Sequence, residues 1–248
     1  MVIVYGTRFY GKVRACGSSY LATQFVHIYY VPLIPTGTHL VLEQNGDGSF
    51  RGIKAPFSFK SMMAAYLRVW GPLAIILAII SAIGAVEEVS DDALGIVIVG
   101  ALSAIVCLGL LVGTVLAYAL LGKLSLEERQ QRSVYAMHLG YFVDPADMGD
   151  ARQAFRDGLL GTIVDRARGM AAMGYRMNAD PAQAWPHVAL DPTHNDDQLV
   201  TAAFTLARID ASLAQGPQQA QLEQLHHQLW QRIQRTNAPY LHSHLQAG

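Results

Sequence analysis

Residues 67–97 read "LRVWGPLAIILAIISAIGAVEEVSDDALGIV", twenty apolar-rich positions with Arg68 as their only charge, then Glu87, Glu88, Asp91 and Asp92 within six residues, then a return to apolar sequence. From Ala93 to Gly122 thirty residues pass without a charge. A bilayer core about 30 Å thick takes roughly 20 helical residues at 1.5 Å each. The sequence therefore predicts two transmembrane helices, over about 67–86 and 93–122. The short acidic link between them makes an antiparallel hairpin with its turn in water. The alternative, a pair of buried core helices, requires a soluble domain to cover the second run on every side, which a chain of 248 residues is poorly sized to do.

The basic flanks set the orientation. Lys54, Lys60 and Arg68 precede the first helix, and Lys123, Arg129 and Arg132 follow the second. Because Lys and Arg accumulate on the cytoplasmic side, both termini are expected in the cytoplasm, with the acidic turn across the inner (plasma) membrane. Trp70 and Tyr118 are expected as interfacial anchors. The first twenty residues carry Arg8, Lys12 and Arg14 and no apolar core, so no removable signal peptide is expected.

The composition, 52% apolar and 15% charged, is uneven along the chain. Residues 1–68 hold seven basic and two acidic side chains; residues 123–248 hold eleven basic and thirteen acidic. The acidic balance of the C-terminal part, with its arginines dispersed among aspartates, argues against nucleic acid as a partner.

Small residues mark where the hairpin helices approach closely. Ala74, Ala78 and Ala82 recur every four residues on the first helix, at the depth of Gly100, Ala101 and Ala104 on the second. Gly109, Gly113 and Ala117 form a second row, suited to the start of the first helix or to another copy of the chain. Ser81, Ser103, Cys107 and Thr114 are the polar side chains in the centres of the spans, and none carries a charge at neutral pH. A transporter or channel made by the hairpin alone is therefore not expected. Pro72 is expected to bend the first helix.

Before the hairpin, residues 1–57 read as a small β domain. "VIVY", "YLATQFVHIYYV" and "THLVLE" are rich in β-branched and aromatic residues, and "EQNGDGSFRG" suits a hairpin connection. "VYGTRFYG" and "IYYVPLIPTG" together resemble the frame of small bacterial zinc-ribbon membrane proteins, which share a GTR strand and a PLIP turn. The resemblance covers about 45 residues and implies a ribbon-like β fold. Such ribbons hold zinc through two cysteine pairs, whereas Cys16 is the only cysteine of this segment. Cys16, His27 and His39 fall short of the four ligands of a closed site, so a ribbon without metal is expected and no cofactor is assigned. "GTRFYGKV" from Gly6 to Val13 approximates a phosphate loop, but Val13 lacks the hydroxyl that magnesium needs and no helix start follows, so nucleotide binding is not expected.

Residues 123–248 read as a cytoplasmic helical bundle. Ser125 and Glu128 form a capping box. Ala151, Ala154, Phe155, Leu159, Ile163, Val164 and Ala167 share a helical stripe. "DPAQAWPHVALDP" reads as a connector punctuated by prolines. Gly216-Pro217 divides two further helices, the second with Leu222, Leu225, Leu229 and Ile233 aligned. Asp144, Asp147, Asp150, His187 and His194 offer acid–base or metal chemistry. However, Asp144-Pro145, Asp180-Pro181 and Asp191-Pro192 are also ordinary cap and turn dipeptides, and that reading is preferred. His226 and His227 point in adjacent directions on a helix, and His242 and His244 sit near the C-terminus.

The expected class is thus an α+β membrane protein: small β domain (1–57), transmembrane hairpin (58–122), helical domain (123–248). The expected role is a non-enzymatic scaffold or adaptor that binds the lipid bilayer and either a protein partner or a second copy, with no small-molecule substrate identified. An accessory subunit of a transport or envelope complex is the second reading, and a membrane-bound metal-dependent hydrolase using Asp144, Asp147, His187 and His194 the third.

Overall fold

A computed structural model describes residues 4–44, 50–88, 93–175 and 180–243. Four strands open the chain: β1 (Tyr5–Cys16), β2 (Ser19–Ile28), β3 (Val31–Gln44) and β4 (Phe50–Ala55). They pair in chain order β1-β2-β3-β4, an antiparallel meander. Helices follow: α1 (Phe59–Glu88), α2 (Ala93–Leu120), α3 (Leu126–Leu139), α4 (Arg152–Ala172), α5 (Pro181–Leu190), α6 (Asp197–Leu213) and α7 (Pro217–Ser243), with a short 3-10 stretch, Pro145–Ala151, before α4. The class is α+β. The glycine-rich connection at 45–49 and the acidic link at 89–92 lie outside the described residues, as does His244; the side chains of Glu87, Glu88, Ala117 and His242 are likewise not described.

By its contacts the chain forms two units, one of Met1–Ala15, Tyr20–His39 and Phe57–Lys123, the other of Cys16–Ser19, Leu40–Pro56 and Leu124–Gly248. In the first, a buried chain of hydroxyls ties α1 to the strands. Thr23 Oγ1 donates to Ser61 Oγ (2.9 Å) and lies 3.3 Å from Thr38 Oγ1, Ser61 Oγ donates to the Gly11 carbonyl (2.8 Å), and the Ser58 amide donates to Thr38 Oγ1 (3.0 Å). These close contacts explain Gly11. A Cβ there meets the Ser61 carbonyl oxygen at 1.9 Å, and φ is +68°. The glycine of the phosphate-loop-like stretch thus serves the approach of a helix to a strand. Around this seam Phe25 is fully buried, edge-on to Tyr66 and Tyr10.

The β-rich run "YLATQFVHIYYV" is divided between two strands. Tyr29 and Tyr30 form a two-residue turn between β2 and β3, both with positive φ (47° and 64°). That is the backbone of a tight hairpin turn normally filled by Asn-Gly, and two tyrosines gave no turn signal.

α1 and α2 are long and apolar enough to cross a membrane, over Phe59–Ala85 and Val97–Leu120. They pack antiparallel: Gly71 lies against Thr114, while Ala82 and Ala104 line one groove farther along. α1 begins at Phe59, two turns before the predicted span, because those turns pack on the strands through Ser61 and Ala65.

In the second unit α6 is the central helix, buried at most positions from Leu199 to Ala211. Phe204 stacks between Tyr135 of α3 (5.1 Å) and His226 (4.3 Å) and Trp230 (5.4 Å) of α7. α4 turns Leu159, Ile163, Ala167 and Met170 inward. Ala154, expected on that stripe, is exposed. The proline-punctuated connector is helix α5 rather than a loop. Asp180 caps it, Pro181 occupies its first turn, and burial of Ala184, Trp185, Val188 and Ala189 offsets the hydrogen bond lost at Pro186.

Candidate functional site

Four parts of the first unit converge where α1 enters its apolar stretch and α2 leaves its own. Arg68, the one charge of the predicted first span, sends Nη1 to the Lys12 carbonyl (2.8 Å) and Nη2 to the Leu121 carbonyl (3.2 Å), with its guanidinium 5.5 Å from the centre of the Tyr118 ring. The Arg14 amide donates to the Gly122 carbonyl (2.9 Å). Gly122 has φ +89°, and a Cβ there meets Val13 at 2.7 Å, so this crossing of chain segments requires glycine. On the other flank Trp70 Nε1 donates to the Pro32 carbonyl (3.1 Å) and the Tyr66 hydroxyl to the Leu33 carbonyl (2.7 Å). Both strand ends are therefore stitched to the helices by side chains that donate to backbone carbonyls.

Pro72 lies within α1 and has no amide hydrogen, so the carbonyl of Arg68, four residues back, loses its helical partner. The Tyr118 hydroxyl of α2 donates to that carbonyl (3.0 Å). In an apolar environment an unmet carbonyl costs several kcal/mol, roughly, and neighbouring helices commonly supply the missing donor.

Farther along the pair, Gly71, Ala74, Ala78, Ala82 and Ala85 form the less exposed face of α1, and Val99, Ser103, Cys107, Leu110 and Thr114 that of α2. The tightest crossing is Gly71 on Thr114: a Cβ on Gly71 meets Thr114 Oγ1 at 2.6 Å. Ala82 shares a shallow apolar groove with Gly100, Ser103 and Ala104. Gly109 and Gly113 face away from α1, and a Cβ at either meets nothing within 4 Å.

The second unit commits its candidate chemical groups to structure. Asp144 caps Ala146 (2.9 Å) and accepts two hydrogen bonds from Arg208, Nε to Oδ1 at 2.9 Å and Nη2 to Oδ2 at 2.6 Å. Burial alone raises the Asp144 carboxyl, but the Arg208 hydrogen bonds and charge, the Ala146 amide and the Arg132 charge outweigh it and hold it below the ordinary carboxylate range. Asp147 lies 3.6 Å from Arg132, and Asp150 is exposed. His187 is exposed on α5, and His194 contacts the Val188 carbonyl. Arg232 of α7 reaches this end of α5, donating to the carbonyls of Ala189 (2.8 Å), Asp191 (2.7 Å) and His194 (2.6 Å). Asp144 and Asp147 thus pair with arginines while His194 bonds at the end of α5, and among the described residues no group of three or more His, Cys, Asp or Glu is placed to hold a metal.

One pair, the buried Tyr135 and the half-buried His226, was not singled out in the sequence. Tyr135 Oη lies 2.8 Å from His226 Nε2. Burial, then the Arg208 charge, pushes the imidazole down to about 4, and burial pushes the phenol well above its usual value. The signal was faint: a histidine four residues before Trp230, on the leucine stripe of α7. No protein family, curated protein or solved structure matches the chain.

Proposed function

We propose that the chain is a two-pass integral protein of the inner (plasma) membrane, with both termini cytoplasmic, acting without catalysis as a scaffold or adaptor for a protein partner at the cytoplasmic face. The observation that carries this reading is the outward face of the helix pair. The most apolar windows of the two helices are 6% and 0% buried, whereas core helices of a soluble protein are mostly covered. Ile80, Leu102, Ile105 and Leu108 are each more than half exposed, a surface suited to lipid and costly in water. The adaptor role draws support from the second unit, where Asp144, Asp147, Asp196 and Asp210 are each paired with an arginine.

The test is topological and biochemical. Reporters before residue 1 and after residue 248 are expected to read cytoplasmic, a reporter within 89–92 to read across the membrane, and crosslinking in native membranes to recover a stoichiometric protein partner or a second copy. Extraction of the chain by carbonate, or reporters on opposite sides, would end the reading.

The outward Gly109 and Gly113 favour a second reading, an accessory subunit of a transport or envelope complex that docks through α2. Gly113→Leu then shifts the complex on native gels while leaving the monomer folded. The metal-dependent hydrolase is the least supported, because Asp144 and Asp147 are paired to arginines. Stoichiometric metal in the purified protein, lost on changing Asp147 and His194, would revive it.

A further inference from the structure

We infer that the tip of the β2–β3 hairpin, Ile28 to Ile34, is a second membrane contact, seated in the headgroup and acyl boundary beside the point where α1 enters its apolar span. The inference rests on the two-pass reading. At this tip Ile28, Tyr29, Tyr30 and Leu33 are exposed, and Ile34 is 63% exposed. The tip is held at one level of α1 by the Trp70 and Tyr66 hydrogen bonds to Pro32 and Leu33, so an α1 that crosses lipid from about Leu67 brings the hairpin to the bilayer surface. Aromatic rings flanked by aliphatic side chains are the residues that partition into this zone.

The turn itself argues for a purpose. Tyr29 and Tyr30 take left-handed backbone that Asn and Gly adopt at less cost. The turn backbone and the Tyr30 ring are nonetheless held: Tyr10 donates its hydroxyl to the Tyr30 carbonyl (2.8 Å), His27 stacks on the Tyr30 ring (5.5 Å), and the Arg8 guanidinium lies 5.4 Å from the centre of that ring. Arg8, Lys12 and Arg14 are the only charged side chains from residue 1 to residue 42, so anionic headgroups meet no carboxylate there.

The test uses the full chain in phosphatidylcholine–phosphatidylglycerol vesicles, with Cys16→Ala and Cys107→Ala as background. An environment-sensitive fluorophore is placed on Ile34→Cys, on Leu108→Cys within α2, or on Gln153→Cys on the exposed side of α4. Brominated acyl chains are expected to quench the labels at 34 and 108, with a blue-shifted emission at both, while aqueous iodide quenches the label at 153. Quenching at 34 by iodide and not by brominated lipid overturns the inference in favour of a water-exposed hairpin. Quenching at 34 by neither overturns it in favour of a protein-covered one. If the label at 108 also escapes brominated lipid, the two-pass reading itself falls and this inference falls with it.

Discussion

The hydroxyl of Tyr118 donates to the carbonyl of Arg68, the acceptor that Pro72 leaves without its helical partner. Proline inside a helix removes one backbone hydrogen bond, yet α1 is continuous from Phe59 to Glu88. The second helix supplies what the proline removes. Tyr118 was expected only as an interfacial anchor, and its bonding role required knowing that α2 returns alongside Pro72.

This relationship makes the two residues thermodynamically coupled. Tyr118→Phe is expected to lower stability in detergent by about 1 kcal/mol, the net value of one such hydrogen bond. In a Pro72→Ala background α1 regains the amide that meets the Arg68 carbonyl, and the same Tyr118 change is expected to cost much less. The measurement is a double-mutant cycle from reversible denaturation. Equal losses in both backgrounds would show that Tyr118 acts through its ring packing alone.

Gly71 and Thr114 set the separation of the hairpin helices. Gly71→Ala pushes a methyl group into the Thr114 side chain and is expected to destabilise the pair by about 1–3 kcal/mol, as overpacking does elsewhere. Thr114→Ala should restore most of that loss. Gly109→Ala and Gly113→Ala meet open space and are expected to be neutral in a monomer. Destabilisation at Gly113 that appears only at concentrations where the chain self-associates would place a second copy on that face.

What could be read in the sequence was local. The Ser125 and Glu128 capping box forms with both bonds, 3.1 Å and 2.8 Å. Asp144 and Asp180 cap the turns that Pro145 and Pro181 begin, at 2.9 Å and 3.1 Å, and Asp191 accepts from the Thr193 amide at 2.9 Å. Each of these depends on residues two or three apart. The rest depends on distant partners. Tyr29 and Tyr30 turn left-handed because β2 and β3 pair and Tyr10 fastens the turn. Pro186 is tolerated in α5 because Trp185 and Val188 are buried beside it. The small residue at the tightest crossing is Gly71, outside both predicted rows, because the choice depends on which face α2 presents.

Arg208 and Asp144 illustrate how charge is kept in the second unit. Arg208→Met leaves the carboxylate half-buried with its cap but without its cation, an expected loss of about 2–3 kcal/mol after allowance for partial exposure. The carboxyl in the folded wild type lies below its unfolded value of about 3.9. Its contribution is therefore complete above that value and is lost as pH falls through the folded pKa. In Arg208→Met the depression disappears, so the stability gap to wild type should be widest near neutrality and narrow below about pH 4. Chemical denaturation of the full chain in detergent, followed by hydrogen exchange at α6 amides, measures it. A gap independent of pH would assign the Arg208 contribution to packing.

His226 gives the opposite group type and the same sign of slope. Its imidazole, buried against Phe204 and hydrogen-bonded to Tyr135, titrates near 4 in the folded chain and near 6.5 when unfolded. Between those values the unfolded state binds the extra proton, so stability is complete above about pH 6.5 and declines as pH falls towards 4, by up to about 1.4 kcal/mol per pH unit. Arg208 and His227 oppose protonation and Asp144 favours it, so all three faces of the site enter the slope. Replacing the pair together, Tyr135→Phe with His226→Phe, removes the titrating group without stranding the phenol hydroxyl. The double variant is expected to keep its fold at neutral pH and to lose this part of the slope between pH 4 and 6.5. A slope unchanged in that variant would mean that other histidines carry the acid sensitivity of the second unit.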